Sequence, residues 1–253
     1  MPLLLTWLTA LLVNLVLIAA ATRLPLLTPR GWIHAGALGT VLWGCLGWRG
    51  WSLAVLYLAA GSLVTRLGLQ RKQELGIAEG RDGRRGPENV WGSAAAATVV
   101  AICIALVDNH GGDPALLAAL RLAFVASFAA KLADTCGSEI GKRWGRRTLR
   151  ITDLCQVAPG TEGAVSLEGT LAGLLGALLL AGAAAALGLL GSSAAELSGA
   201  LGQVVAVAVL ASLAESWIGS VAQVRLGWLS NEAVNGLMTT LAAALSLLVS
   251  LAR

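Results

Sequence analysis

Residues 131–170 read KLADTCGSEIGKRWGRRTLRITDLCQVAPGTEGAVSLEGT, an interval of acids, bases, glycines and hydroxyls set between long apolar runs. On either side the chain is dominated by Leu, Ala, Val and Gly. Of 253 residues, 57% are hydrophobic and 13% charged, and the mean hydropathy is +0.76, which lies outside the range of ordinary soluble domains. Most of the chain is therefore built for lipid. The Ala- and Leu-rich runs lack the period-two alternation of a β-barrel, so the fold class expected is all-α, a polytopic transmembrane helix bundle. A spanning helix needs about 20 apolar residues at roughly 1.5 Å rise each, which leaves room for about eight spans, with seven as the alternative count.

Working outward from the quoted interval, a sixth span follows at 164–190, a seventh at 200–224 and an eighth at 233–251. Upstream, the fifth starts near residue 115 and turns polar at its end, as a helix that stops or bends inside the membrane would. The fourth covers 93–107. Spans one to three are 3–21, 31–48 and 51–69, with only Arg49-Gly50 expected to separate the second and third. The first has no basic segment before it and reads as a retained helix rather than a cleaved signal. Two regions result: an N-terminal three-helix membrane region, 1–69, and a second membrane region, 70–253, with loops at 70–92, 138–163 and 225–232, in which the candidate catalytic residues all fall.

The seven connections carry two, one, five, no, five, no and one Lys or Arg in turn. By the positive-inside rule the odd connections face the cytoplasm and both termini lie on the other side. All three polar loops then share the cytoplasmic face. The net charge of +4 reports this orientation and headgroup contact rather than nucleic acid, for which no basic-aromatic stripe is present. Cys45, Cys103, Cys136 and Cys155 form no CxxC pair, and neither His34 nor His110 sits near a cysteine, which argues against zinc and against a disulfide framework.

On a helix, Ser127, Lys131, Asp134 and Ser138 share one stripe, and Thr135, Glu139 and Lys142 the adjacent one. A Lys131–Asp134 ion pair would offset the expense of intramembrane charge, about 2.5–3.5 kcal/mol per residue, but packing alone rarely needs so many polar groups together. Carboxylates such as Asp134 and Glu139 suit Mg²⁺, and lysines suit phosphate. The loop PGTEGAVS, residues 159–166, sets Gly160, Thr161, Glu162, Gly163 and Ser166 just before a helix, a design suited to anions; it is not a Walker A loop, and a glycine turn capping the sixth span through Ser166 is the simpler alternative. Arg84 and Arg85, followed by Asn89, form either a phosphate clamp or a topogenic loop. Ser212, Glu215, Ser216 and Gln223 line a polar face of the seventh span, where Glu215 demands a cation or metal partner. Asn231, Glu232 and Asn235 repeat the theme, with Asn231 also fitting a helix N-cap.

Four motifs in order, FVASFAAKLADTCGSEIGK, VAPGTEGAVSLEGTLAGLLGA, ESWIGSVAQ and NEAVNG, with RRGPENVWGSA as a looser match, resemble the family of polytopic membrane proteins that includes transmembrane protein nineteen and the phytyl-phosphate kinases of tocopherol synthesis. The resemblance covers about residues 81–241, and Glu162 and Glu232 stand where the family more commonly has Asn or Asp. It implies a lipid kinase that converts phytyl phosphate, or a related isoprenoid phosphate, to the diphosphate in the plasma or thylakoid membrane. A distant similarity to CTP-using polyprenol kinases and CDP-diglyceride synthases implies a nucleotide triphosphate donor, CTP favoured, with Mg²⁺ as cofactor. On that reading Asp134, Glu139 and Glu215 hold Mg²⁺, Lys131 and Lys142 neutralise charge, the 160–166 loop binds phosphate, and Asn235 completes the shell. The alternatives are a polyprenol kinase, a lipid-phosphate cytidylyltransferase, and a lipid-phosphate transporter or flippase. Homo-oligomerisation is left open.

Overall fold

Helix starts in this chain are written in short capping sequences, and the computed structural model, which describes residues 3–191, 193–223 and 225–253, uses them. After α1 (Leu3–Ala21), Thr28 accepts a hydrogen bond from the Gly31 amide and Pro29 sits at the first turn of α2 (Pro29–Arg66). Asp113 and Pro114 start α5 (Pro114–Trp144) in the same way. Between them lie the short α3 (Leu69–Glu74), a 3-10 turn at Arg81–Gly83, and α4 (Pro87–Asn109). Ser166 caps α6 (Leu167–Ala186), Ser193 caps α7 (Ala194–Ile218), and Ser230 caps α8 (Asn231–Leu251). Asn231 is thus the first residue of α8 and not its cap.

Six helices, α1, α4, α5, α6, α7 with its π-helical extension Gly219–Gln223, and α8, are long and apolar enough to cross a membrane. The protein is a multi-pass integral membrane protein. The expected second span, and the third except for its last three residues, fall in the 38-residue α2, which is not among the six. Its break falls at Gly47 (φ 66°, ψ −168°), not at Arg49-Gly50, because only glycine enters that backbone region without strain.

Other boundaries move for physical reasons. The fifth span neither stops nor bends: α5 continues to Trp144, so residues 138–144 of the loop expected at 138–163 are its last turns. At roughly 1.5 Å per residue its 31 residues reach about 46 Å, well beyond a hydrocarbon core of about 30 Å. The sixth span begins at Leu167, because Ala164–Ser166 is a strand, β2, paired antiparallel with β1 (Thr148–Arg150). The bundle is therefore helical except for this hairpin. α4 starts six residues before the fourth span expected at 93–107, and the π turn carries the seventh to Gln223; its expected last residue, Val224, lies outside the described residues.

α5 forms the axis. From Ala123 to Cys136 every residue is buried, the mark of a helix surrounded by others rather than laid on a surface. Phe128 packs against Tyr57 of α2 and Phe124, and glycines on α6 let that helix lie against α5 backbone to backbone. A Cβ on Gly169 would stand 2.5 Å from the Gly137 carbonyl oxygen. Across the boundary expected at residue 69, α2 packs on α4 and α5, and the Arg85 backbone bonds to both Leu26 and Thr28. α1 is the outlier. Its leucines are largely exposed, and it holds to α2 through Trp7 and Ile18, which lie against Gly44 and Gly36, and through Asn14, whose Oδ1 accepts from the Trp51 indole at 3.0 Å.

Candidate active site

Where α5 and α7 end, α4, α6 and α8 begin, and the five helix ends enclose a polar cavity of about 450 Å³. Segments 78–85 and 159–166 complete its walls. The three polar stretches of the sequence therefore meet at one end of the bundle. Three helix N-termini aim their partial positive charge and free backbone amides at the same space, an arrangement that favours a polyanion.

Lys131 is buried on α5, where its ammonium donates to Asp134 Oδ2 at 2.6 Å and to Asn235 Oδ1 of α8 at 2.9 Å. Two of its three protons are engaged, leaving one for a ligand. The carboxyl of Asp134 meets that of Glu215 on α7 at hydrogen-bonding range, with Lys131 and Glu162 the next charges. Glu139 points elsewhere. Its oxygens accept from Lys72 and, at 3.3 Å, from Lys142, which also reaches Glu79 at 3.5 Å. Five residues along a helix is a turn of about 140°, so Asp134 and Glu139 diverge on α5, although both line the cavity. The carboxylate that joins Asp134 is Glu215.

The other candidates divide by what already holds them. Arg85 donates to the Tyr57 hydroxyl and lies 5.2 Å from its ring centroid. The Arg84 side chain forms no ion pair or hydrogen bond among the described residues, although it lines the cavity. Asn89 accepts from the Gly86 amide at 2.9 Å and donates to Glu232 at 3.1 Å, which ties the starts of α4 and α8 together. Ser166 accepts from the Gly169 amide at 3.1 Å, so capping is its observed role at the cavity wall. Ser138 and Thr161 donate to backbone carbonyls. Gly160 and Gly163 have φ of 87° and 71°, and a Cβ on Gly163 would stand 2.6 Å from the Ser216 carbonyl oxygen, so the loop can lie against α7 only as glycine. Glu162, Ser216, Asn231, Glu232 and Asn235 line the same space. Gln223 does not; it lies in the π turn with its Oε1 buried and unpartnered.

Sequence reasoning missed Lys72, Glu79 and Tyr57. Lys72 is 1% exposed, and its ammonium donates to the Thr65 carbonyl at 2.6 Å as well as to Glu139. Within QRKQEL it looks like one more loop cation, and only burial distinguishes it.

No group of three or more His, Cys, Asp or Glu among the described residues is arranged to hold a metal alone. The Asp134–Glu215 pair nevertheless fits Mg²⁺, which commonly takes one or two protein carboxylates and completes its shell with water and substrate phosphates. Glu139, neutralised by two lysines, does not fit that role.

The family model described as integral membrane protein DUF92 matches residues 12–243. The chain is 46% identical over 243 residues to uncharacterized membrane protein sll0875 of Synechocystis sp., covering 95% of this chain and 90% of that one. It is 38% identical over 248 residues to Protein VTE6, chloroplastic, of Arabidopsis thaliana, covering 96% of this chain and 72% of the other. Over 219 residues it is 30% identical to uncharacterized membrane protein MJ0933 of Methanocaldococcus jannaschii, covering 87% and 84%. No solved structure matches the chain.

Proposed function

The chain belongs to the DUF92 family of integral membrane proteins, and from that premise we propose that it is a membrane kinase that phosphorylates an isoprenoid phosphate to the diphosphate. Phytyl phosphate is the acceptor proposed, and a nucleoside triphosphate, CTP first, the donor. One observation carries the reading: a cavity that combines three helix N-termini and uncommitted cationic protons with a pair of facing carboxylates. Such a site suits several phosphates bridged by a divalent ion. The similarity to the chloroplast protein and the motifs shared with phytyl-phosphate kinases supply the acceptor class.

The acceptor already carries an anionic phosphate oxygen. That oxygen attacks the γ-phosphorus, the bond from the γ-phosphorus to the bridging oxygen of the β-phosphate breaks, and the nucleoside diphosphate leaves. A dianionic monoester and a tetraanionic nucleotide give two trianions, so no net proton is transferred and no general base is required. Positioning and charge neutralisation carry most of the catalysis in phosphoryl transfer. Asp134 and Glu215 would hold Mg²⁺, which when bound would supply positive charge to the nucleotide phosphates. Lys131, fixed by Asp134 and Asn235, presents its remaining proton to a phosphate oxygen. Lys142 adds charge, while the 160–166 loop and the first turn of α6 offer backbone amides. Glu139 orients Lys142 rather than binding metal.

With both halves of α2 crossing, the chain makes eight passes. Both termini then lie outside, and the site faces the cytoplasm, or the stroma in a thylakoid.

The test is to incubate the full chain with phytyl phosphate, Mg²⁺ and each labelled nucleoside triphosphate. Labelled diphosphate is expected, with Asp134→Ala and Glu215→Gln each at least about 100-fold slower. No diphosphate with any donor across several chain lengths overturns the kinase reading. A nucleotide-linked lipid product would assign cytidylyl transfer instead.

A further inference from the structure

A second cavity, of about 650 Å³, lies between α1 and the first half of α2. Leu11, Leu15 and Ile18 form one stripe on α1, and Ile33, Ala37 and Thr40 form another on α2. The lining residues run from Leu11 to Thr22, one residue past the end of α1, and from Pro29 to Thr40 on α2, eleven steps or roughly 16 Å of depth in each case. Small residues on α2 leave this space: with no side chain at Gly36, Ile18 lies against the backbone and makes a floor. The groove is mostly apolar, and its volume falls within the range of small-molecule sites, about 300–1,000 Å³.

Arg84 lines both this groove and the polar cavity. Its neighbour Arg85 is committed to Tyr57, whereas the guanidinium of Arg84 has no acceptor among the described residues. Arg23 joins the same end of the groove. An apolar channel thus ends on an uncommitted guanidinium that also faces the phosphate-binding space.

We propose that this groove is the tail site of the acceptor: a single-chain isoprenoid phosphate lies between α1 and α2 with its phosphate on Arg84, the group through which tail site and transfer site communicate. The identity of the occupant rests on the kinase reading. A two-chain phospholipid shares the anionic head but not the single tail. Guanidinium supplies a two-pronged match to the phosphate, and the apolar walls hold the chain.

Two measurements on the full chain test this. Ala37 is exposed in the groove, so Ala37→Trp fills it without disturbing packed core. This variant is expected to raise KM for phytyl phosphate at least tenfold while leaving KM for nucleotide, and turnover of a five-carbon isoprenoid phosphate, unchanged. An equal effect on both chain lengths, or none on either, overturns the assignment. The second measurement needs no turnover. A diazirine-bearing phytyl phosphate, photolysed with the protein in nanodiscs, is expected to label peptides of 11–22 and 29–40. Arg84→Leu should reduce the labelling, and unlabelled phytyl phosphate should compete at least tenfold better than phytol or dioleoyl phosphatidic acid. Labelling confined to α6–α8, or equal competition by phosphatidic acid, overturns the tail site. Correct labelling without phosphoryl transfer would remove the kinase reading and leave the groove as an isoprenoid-phosphate site, so the two failures are distinguishable.

Discussion

Lys72 holds together what the sequence keeps apart. Its ammonium joins the Thr65 carbonyl at the end of α2 to Glu139 on α5, and both charged side chains are almost wholly buried. Breaking a buried pair from one side strands the other charge, at a cost of about 3–5 kcal/mol. Lys72→Met is expected to lower the thermal midpoint of the detergent-solubilised protein by several degrees, and Glu139→Gln in the same chain to restore part of the loss. Unchanged midpoints in both would show that the pair contributes nothing to stability. Residue types and helical spacing made the cavity legible: every candidate except Gln223 lines it. Partners were not legible. Asp134 meets Glu215, 81 positions away, and Glu139 meets Lys72, 67 positions away, and no local pattern encodes either pairing.

Among elements, the α5–α6 crossing carries the site, since α5 presents Lys131, Asp134, Glu139 and Lys142 while α6 begins at the cavity with Ser166 as its cap. Gly169 sets their separation, because its missing side chain admits the Gly137 carbonyl. Gly169→Val would force the helices apart. A destabilisation of about 1–3 kcal/mol is expected, together with loss of nucleotide binding, read by thermal denaturation and by nucleotide-dependent protection. Retained binding with a lowered midpoint would separate this crossing from the site. The starts of α2 and α5, at Thr28-Pro29 and Asp113-Pro114, fall within two residues of those expected, whereas α4 and α7 start six residues before the spans expected at 93 and 200. The hairpin Thr148–Arg150 with Ala164–Ser166 was not legible. Strands of three residues exist only through their pairing, and their composition does not differ from the loop around them.

For the whole molecule, orientation is the property to measure. Cys155 is the exposed cysteine, in the segment between β1 and β2, while Cys136 is buried and Cys45 and Cys103 are half-buried on helices. A membrane-impermeant maleimide is expected to label Cys155 in inside-out vesicles and not in intact cells. The reverse pattern would invert the orientation drawn from loop charge. The helical membrane bundle and the meeting of the polar stretches at one end were legible at this scale because lipid imposes strong compositional rules, whereas six helices, against about eight expected spans, are long and apolar enough to cross. The unbroken length of α5 was not legible, since its polar turns imitate a loop.

α1, held to α2 by the Asn14–Trp51 hydrogen bond and by Trp7 and Ile18 seated against Gly44 and Gly36, leaves most of its surface to lipid. A substrate entering between these helices arrives sideways by diffusion in two dimensions, so its effective concentration is a mole fraction in the bilayer rather than a molarity. Adding inert phospholipid at fixed total phytyl phosphate is expected to raise the apparent KM in proportion, while the apparent KM for the water-borne nucleotide stays constant. Saturation of the proposed kinase would then follow how crowded its membrane is with isoprenoid, whatever the volume of the cell around it.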